Sequence, residues 1–172
     1  MEKINSLEDL LLRELKDLYH AEKQLVKALP KVIKRASSPQ LRNAIEEHLR
    51  ETEGHVNRLE QIFESLGQPA KAVKCEGMEG ILEEANEMMR EEGNPEALDA
   101  AIISAAQKVE HYEIASYGTV AEWASQLNRQ DIKELLNETL EEEKQADEKL
   151  TEIAKAVNNA VSKQGSDRRM AA

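Results

Sequence analysis

Apolar residues recur every three or four positions through most of the chain, the spacing of helices that bury one face. The first stripe, Leu11, Leu15, Leu18, Leu25 and Leu29, follows Ser6 and Asp9, a capping-box pair, and predicts a helix from there to about Arg35. A kink is expected near Pro30, whose ring nitrogen cannot donate. Ser38 and Pro39 suit the N-cap and first position of a second helix. Its stripe of Leu41, Ile45, Leu59, Ile62 and Leu66 stops at Gly67. Asn94 and Pro95 repeat that start signal for a third long helix to about Leu127, and a fourth occupies about Gln130 to Val161.

Between the second and third long helices, residues 68–93 carry Pro69, Gly77, Gly80 and Gly93 around the helical pattern MEGILEEANEMM. That stretch is too long for a turn and predicts a crossover with a short helix of its own, Met78, Met88 and Met89 filling its contact with the rest. Two tight connections joined by one long crossover give an all-α, ferritin-like four-helix bundle over residues 1–161. The polar residues 162–172 are expected as a flexible tail.

Composition agrees with the pattern. Aromatics make up 3% of the 172 residues, with only 7 Gly and 4 Pro, a balance that favours long helices over sheets. The lone Cys75 rules out an intrachain disulfide and a cysteine-based metal site within one chain, and suits a reducing cytoplasm. The start of the chain has no basic segment followed by an apolar one, and no window reaches membrane-spanning length, so a soluble, untargeted protein is expected. A net charge of −11, with Arg168 and Arg169 the only basic cluster near an end, argues against nucleic acid as a partner.

Most of the acids belong on solvated faces, but some interrupt the apolar stripes. Glu22 sits mid-stripe on the first helix. His48, Glu51 and His55 occupy successive turns of the second, Glu110 and Glu113 interrupt the third, and Glu143 and Asp147 the fourth. In an antiparallel bundle these positions meet at one height. An unpaired buried charge costs several kcal/mol, against a whole-domain stability of about 5–15 kcal/mol. No Lys or Arg falls on the stripes at that level, so bound metal is the economical compensation. The pairs Glu51/His55, Glu110/Glu113 and Glu143/Asp147 have the spacing that lets one helix face grip an ion. The two hairpins echo each other, which suits two ions bridged by carboxylates, iron or manganese before zinc.

The segments DLYHAEKQL (17–25), HLRETEGHVNRLE (48–60), AAQKVEHYEIASYGT (105–119) and LNETLEEEKQADEKL (136–150) closely resemble the YciE/YciF family of ferritin-like bacterial stress-associated proteins, over about residues 6–160. That resemblance implies a ferritin-like bundle that pairs as a homodimer. More distantly, Glu22, Glu51, Glu110, Glu113 and Glu143 match the carboxylate positions of the rubrerythrin-type di-iron site. The chain departs from that pattern in carrying Asp147 where a histidine is usual, and His55 four residues after Glu51 instead of three. Six ionised carboxylates would outweigh two ferrous ions. One acid is then protonated, one (Asp147 or Glu113) stands off as an outer group, or the metals work in higher oxidation states. The rubredoxin cysteine pairs are absent, so redox cycling needs an external electron donor.

The expected ligand set is therefore Glu22, Glu51, His55, Glu110, Glu113, Glu143 and Asp147 around two iron ions, with manganese as the alternative. His48 reads as a hydrogen-bonded structural histidine, His20 and His111 as exposed, and Glu53, Glu141 and Glu142 as surface charges. Tyr117, one turn beyond Glu113, is placed to bond a ligand carboxylate. Two functions follow: a ferroxidase or a peroxide- or oxygen-reactive oxidoreductase (peroxide reductase or manganese catalase included), and a stress-induced structural or binding module in which metal only supports the fold.

Overall fold

The computed structural model describes residues 4–170, with side chains described up to Lys163. Five helices follow one another: α1 (Leu7–Arg35), α2 (Pro39–Ser65), α3 (Glu76–Arg90), α4 (Pro95–Gln126) and α5 (Gln130–Met170). No strand occurs among the described residues. The caps are those the sequence announces. Ser6 Oγ accepts from Asp9 N while Asp9 accepts from Ser6 N, and Ser38 and Asn94 cap α2 and α4 with proline following each. Gly67 takes the left-handed conformation, φ 63°, just past α2, and Asn128 does the same, φ 56°, at the α4–α5 turn.

α1 runs unbroken through Pro30. α5 continues past the expected end near Val161 to Met170. The flexible tail expected over 162–172 is thus helical as far as it is described, while the side chains of Arg168 and Arg169 and all of residues 171–172 lie outside the described residues.

Polar contacts at the two ends fix the topology. Buried Asp99, one turn into α4, accepts from Ser37 N, Ser37 Oγ and Ser38 N at 2.8, 2.6 and 2.8 Å, tying α4 to the α1–α2 turn. At the far end, Arg129 in the α4–α5 turn donates to the Ser65 carbonyl at the close of α2. α4 therefore runs parallel to its diagonal partner α2, and each of the four long helices is antiparallel to its long-helix neighbours. α3 carries the crossover along α1 and α4. It comes close enough that a Cβ on Gly77 would stand 2.9 Å from the Tyr112 ring, which is why that position carries no side chain.

The core is two apolar layers. Leu11, Leu15, Leu18, Leu59, Phe63, Val120 and Leu136 belong to the lower one, and Leu25, Leu41, Ile45, Met78, Ile102 and Leu150 to the upper one. Met78 is fully buried there and Met89 packs against it, as expected of the crossover. A belt of ionisable residues separates the layers.

Candidate metal centre

Four helices supply that belt. α1 brings Glu22, α2 His48 and His55, α4 Glu110 and Glu113, and α5 Glu143, and all six side chains are buried. The three-residue spacing of Glu110 and Glu113 and the two-turn spacing of His48 and His55 keep each pair on one face. Potential donor atoms of His48, Glu110, Glu113 and Glu143 lie within 4.8 Å of one another, and so do those of Glu22, His55 and Glu143. Either group could hold a metal ion. Glu143 belongs to both, the position of a shared carboxylate.

Hydrogen bonding leaves this belt under-satisfied. Among the described residues, the buried side-chain nitrogens and oxygens without a hydrogen-bond partner are Glu22 Oε2, both ring nitrogens of His48, His55 Nδ1, Glu110 Oε2 and both oxygens of Glu113 and Glu143. His55 Nδ1 lies 3.1 Å from Glu143 Oε1 and 3.4 Å from Glu22 Oε1, and His48 Nε2 lies 3.4 Å from Glu110 Oε1; none of these contacts is aligned as a hydrogen bond. Folded proteins pair most such groups because leaving one buried and unpaired costs about 1–3 kcal/mol, more when it is charged. Nine orphaned donor atoms converging on one level match what divalent metal ions require of a protein, oxygens and imidazole nitrogens in close array.

The residues behind the belt orient it. Tyr117 donates to Glu22 Oε1 at 2.5 Å. His55 Nε2 sits 2.9 Å from Glu142 Oε2, and Arg58 grips both oxygens of Glu142 at 2.6 and 2.8 Å while also reaching Glu138. On a bound metal the His55 ring would be neutral, and an Nε2 proton directed at Glu142 would leave the Nδ1 lone pair facing Glu22 and Glu143, the outer-carboxylate device that fixes a ligand histidine's tautomer.

Burial is the largest influence on every ionisable group here. It pushes the carboxyl of Glu22 up and, aided by neighbouring acids, those of Glu110 and Glu113 well above the usual range. For His55, burial favours the neutral ring, but contacts with Glu143 and Glu22 overcome it and raise the pKa to about 11. His48 is likewise pulled down by burial and carried up to about 9 by Glu110 and Glu51. Burial would raise Glu143 too, yet the adjoining His55 and His48 leave it lowered. Without metal, the two imidazoliums are the compensating cations.

Of the residues expected from sequence, Glu22, His55, Glu110, Glu113 and Glu143 come together, whereas Glu51 and Asp147 do not. The Glu51 side chain is 34% exposed, its Oε2 3.7 Å from His48 Nδ1 on the outer side of that ring. α2 is turned so that fully buried Thr52, not Glu51, takes the inward slot, its hydroxyl bonded back to the His48 carbonyl. Asp147 accepts from Gln107 and pairs with exposed His111 at 3.3 Å. His48, expected as a hydrogen-bonded structural residue, stands in the belt with neither nitrogen bonded. Glu142, expected at the surface, is partly buried against His55 and Arg58, and His20 is partly buried, accepting the Cys75 N–H, where exposure was expected. Glu53 and Glu141 are exposed as expected. One sequence signal pointed to His48: it lies two turns before His55 on the same helix face.

The fold and this belt define a ferritin-like four-helix bundle whose core holds a His/Glu cluster able to bind metal. Residues 6–162 match the family model described as a domain of unknown function (DUF892), and the chain belongs to that family. It is 48% identical over 157 residues to protein YciF of Escherichia coli (strain K12), covering 91% of this chain and 93% of that protein. The crystal structure of that stress protein superposes with a TM-score of 0.88, over 91% of this chain and 99% of that one. YcfI of Rhodopseudomonas palustris is 45% identical, with a TM-score of 0.85 over 87% of this chain and 96% of its own. A Xanthomonas campestris protein at 22% identity and a TM-score of 0.75 shares the fold. Among the described residues, no helix is long and apolar enough to cross a membrane.

Proposed function

We propose that the chain is a stress-associated, dinuclear metal protein of the cytoplasm, with two iron ions (manganese as the alternative) held by Glu22, His48, His55, Glu110, Glu113 and Glu143. Glu143 is shared between the ions, and Glu51 and Asp147 stand outside. The observation that carries this reading is the convergence of nine unpartnered buried donor atoms in two groups with one carboxylate in common. Charge supports it as well. The four carboxylates of the belt balance two divalent ions, which removes the surplus that Glu51 and Asp147 would have added. Oxygen donors with two imidazoles suit iron or manganese better than zinc.

Bound ferrous iron would supply electrons for the reduction of oxygen or peroxide and would draw replacements from an external donor. The chain's own residues would do the rest. Glu142 and Arg58 would keep His55 aimed, Tyr117 would hold Glu22, and the apolar layers above and below would keep bulk water from the reacting atoms. Pairing as a homodimer belongs to the same reading and rests on family resemblance.

A second reading, a module in which metal only supports the fold, draws on the structural role put forward for YcfI. Rapid mixing separates the two. Protein loaded anaerobically with ferrous iron is mixed with hydrogen peroxide or air, and iron oxidation is followed by absorbance. The redox reading expects oxidation at least about tenfold faster than free iron in the same buffer, repeated when reductant is added; a factor of ten corresponds to only about 1.4 kcal/mol of barrier. Oxidation no faster than the control, in protein that retains its iron, would leave the structural reading.

A further inference from the structure

A cavity of about 170 Å³ lies in the upper half of the bundle, beside the metal centre on its α1–α2-turn side. Its walls come from all five helices and are mainly apolar. Ala28, Ala44, Ala85 and Ala105, one from each of α1 to α4, line it at positions where larger side chains would close it. A recess of this size, framed by alanines and partly open at its edge, offers a small molecule a place to bury its surface. The cavity ends on His48 and Glu110. At the α2–α5 seam it is bounded by the ion pair of Glu47 and Lys149, beside partly exposed Glu51.

We propose that this cavity binds one neutral, apolar molecule of about the size of benzene or indole, with one edge set against His48 and Glu110. Size is the first argument: an apolar protein cavity of about 150 Å³ stays dry and takes up benzene or xenon. Charge is the second. An anion would meet Glu47, Glu51 and Glu110, while each cation on the lining already faces an acceptor: Lys149 faces Glu47, Arg35 the carbonyls of Met89 and Glu91, and His48, charged in the metal-free chain, lies between Glu110 and Glu51. An organic cation would have to shed its water against alanine, leucine and methionine side chains. A neutral molecule meets neither cost. Binding itself does not depend on the metal reading; only a role as co-reactant would rest on it.

The test uses the full chain, metal-free and metal-loaded, with benzene and indole as probes and benzoate as the charged control. Melting temperature and calorimetric titration are read, and metal content is measured on the same samples so that loss of metal and loss of probe binding are told apart. Saturable binding of benzene or indole at one site per chain, a rise of several degrees in melting temperature, and at least tenfold weaker benzoate binding are expected. Ala105→Leu and, independently, Ala44→Leu fill the cavity and should abolish probe binding in folded protein. If neither variant folds, xenon-pressurised crystals of the unaltered chain decide, with density expected between Ala44 and Ala105. No saturable binding of either neutral probe, benzoate bound equally well, binding retained in a folded filled variant, or no xenon in the cavity would overturn the proposal.

Discussion

Six buried side chains form the proposed metal centre, and their neighbours decide how each is presented. His48 and Glu51 are three residues apart on α2, and the ring, not the acid, faces the other helices. His48→Ala should therefore remove at least one of two bound ions, while Glu51→Gln should keep both; metal analysis after gel filtration reads the outcome, and the reverse pattern would return the ligand role to Glu51. His55 depends on support from behind. Glu142→Gln loosens both the His55 contact and the bidentate Arg58 grip, and losing such a supporting partner typically weakens metal binding about 10–100-fold. A competition titration against a chelator would show that loss as a shifted midpoint, and an unshifted one would contradict the role given to Glu142.

At the scale of elements, long apolar periodicity and strong punctuation make the helices legible in the sequence. Ser6 with Asp9, Ser38-Pro39, Asn94-Pro95 and Gly67 cap or end helices where the sequence places them. Glu22, Glu110, Glu113 and Glu143 are legible as well, as acids that interrupt an apolar stripe and are buried, although the same signal at Glu51 and Asp147 does not bring those two into the belt. Rotation is less so. A residue three positions on lies to one side of the stripe's axis and one four positions on to the other, so neighbours Glu51 and Thr52 compete for the inward direction, and only the partner helices decide. Contacts across helices leave no trace in sequence either. Asp99 is one case: it sits one turn into α4, yet it is buried and caps the α1–α2 turn with three hydrogen bonds. Asp99→Ala should lower stability by about 2–4 kcal/mol, since hydrogen bonds to a charged group contribute about 1.5–3 kcal/mol each and water recovers part of the loss. Chemical denaturation measures this, and bound metal per folded chain should not change.

For the molecule as a whole, the belt is a liability that protons relieve in the metal-free chain. Glu110 and Glu113 have raised folded-state pKa values, so their protonated, stability-favouring forms persist at low pH and are lost as pH rises. His48 acts in the same direction. Its contribution is complete below the unfolded value of about 6.5 and disappears as pH climbs through about 9. Metal-free protein should thus melt at progressively lower temperature between pH 6.5 and 9, whereas metal-loaded protein, whose ligands are already deprotonated, should change much less. Parallel melting curves for the two forms across that window would contradict a metal role for the belt. The most direct measurement is anaerobic titration of chelator-stripped protein with ferrous iron, counting bound iron per chain with Glu143→Ala alongside. Two ions per chain with a raised melting temperature, and loss of the two-ion state when the shared carboxylate is removed, are the expected result. Iron-free protein after titration, melting at the same temperature with and without iron, would contradict it.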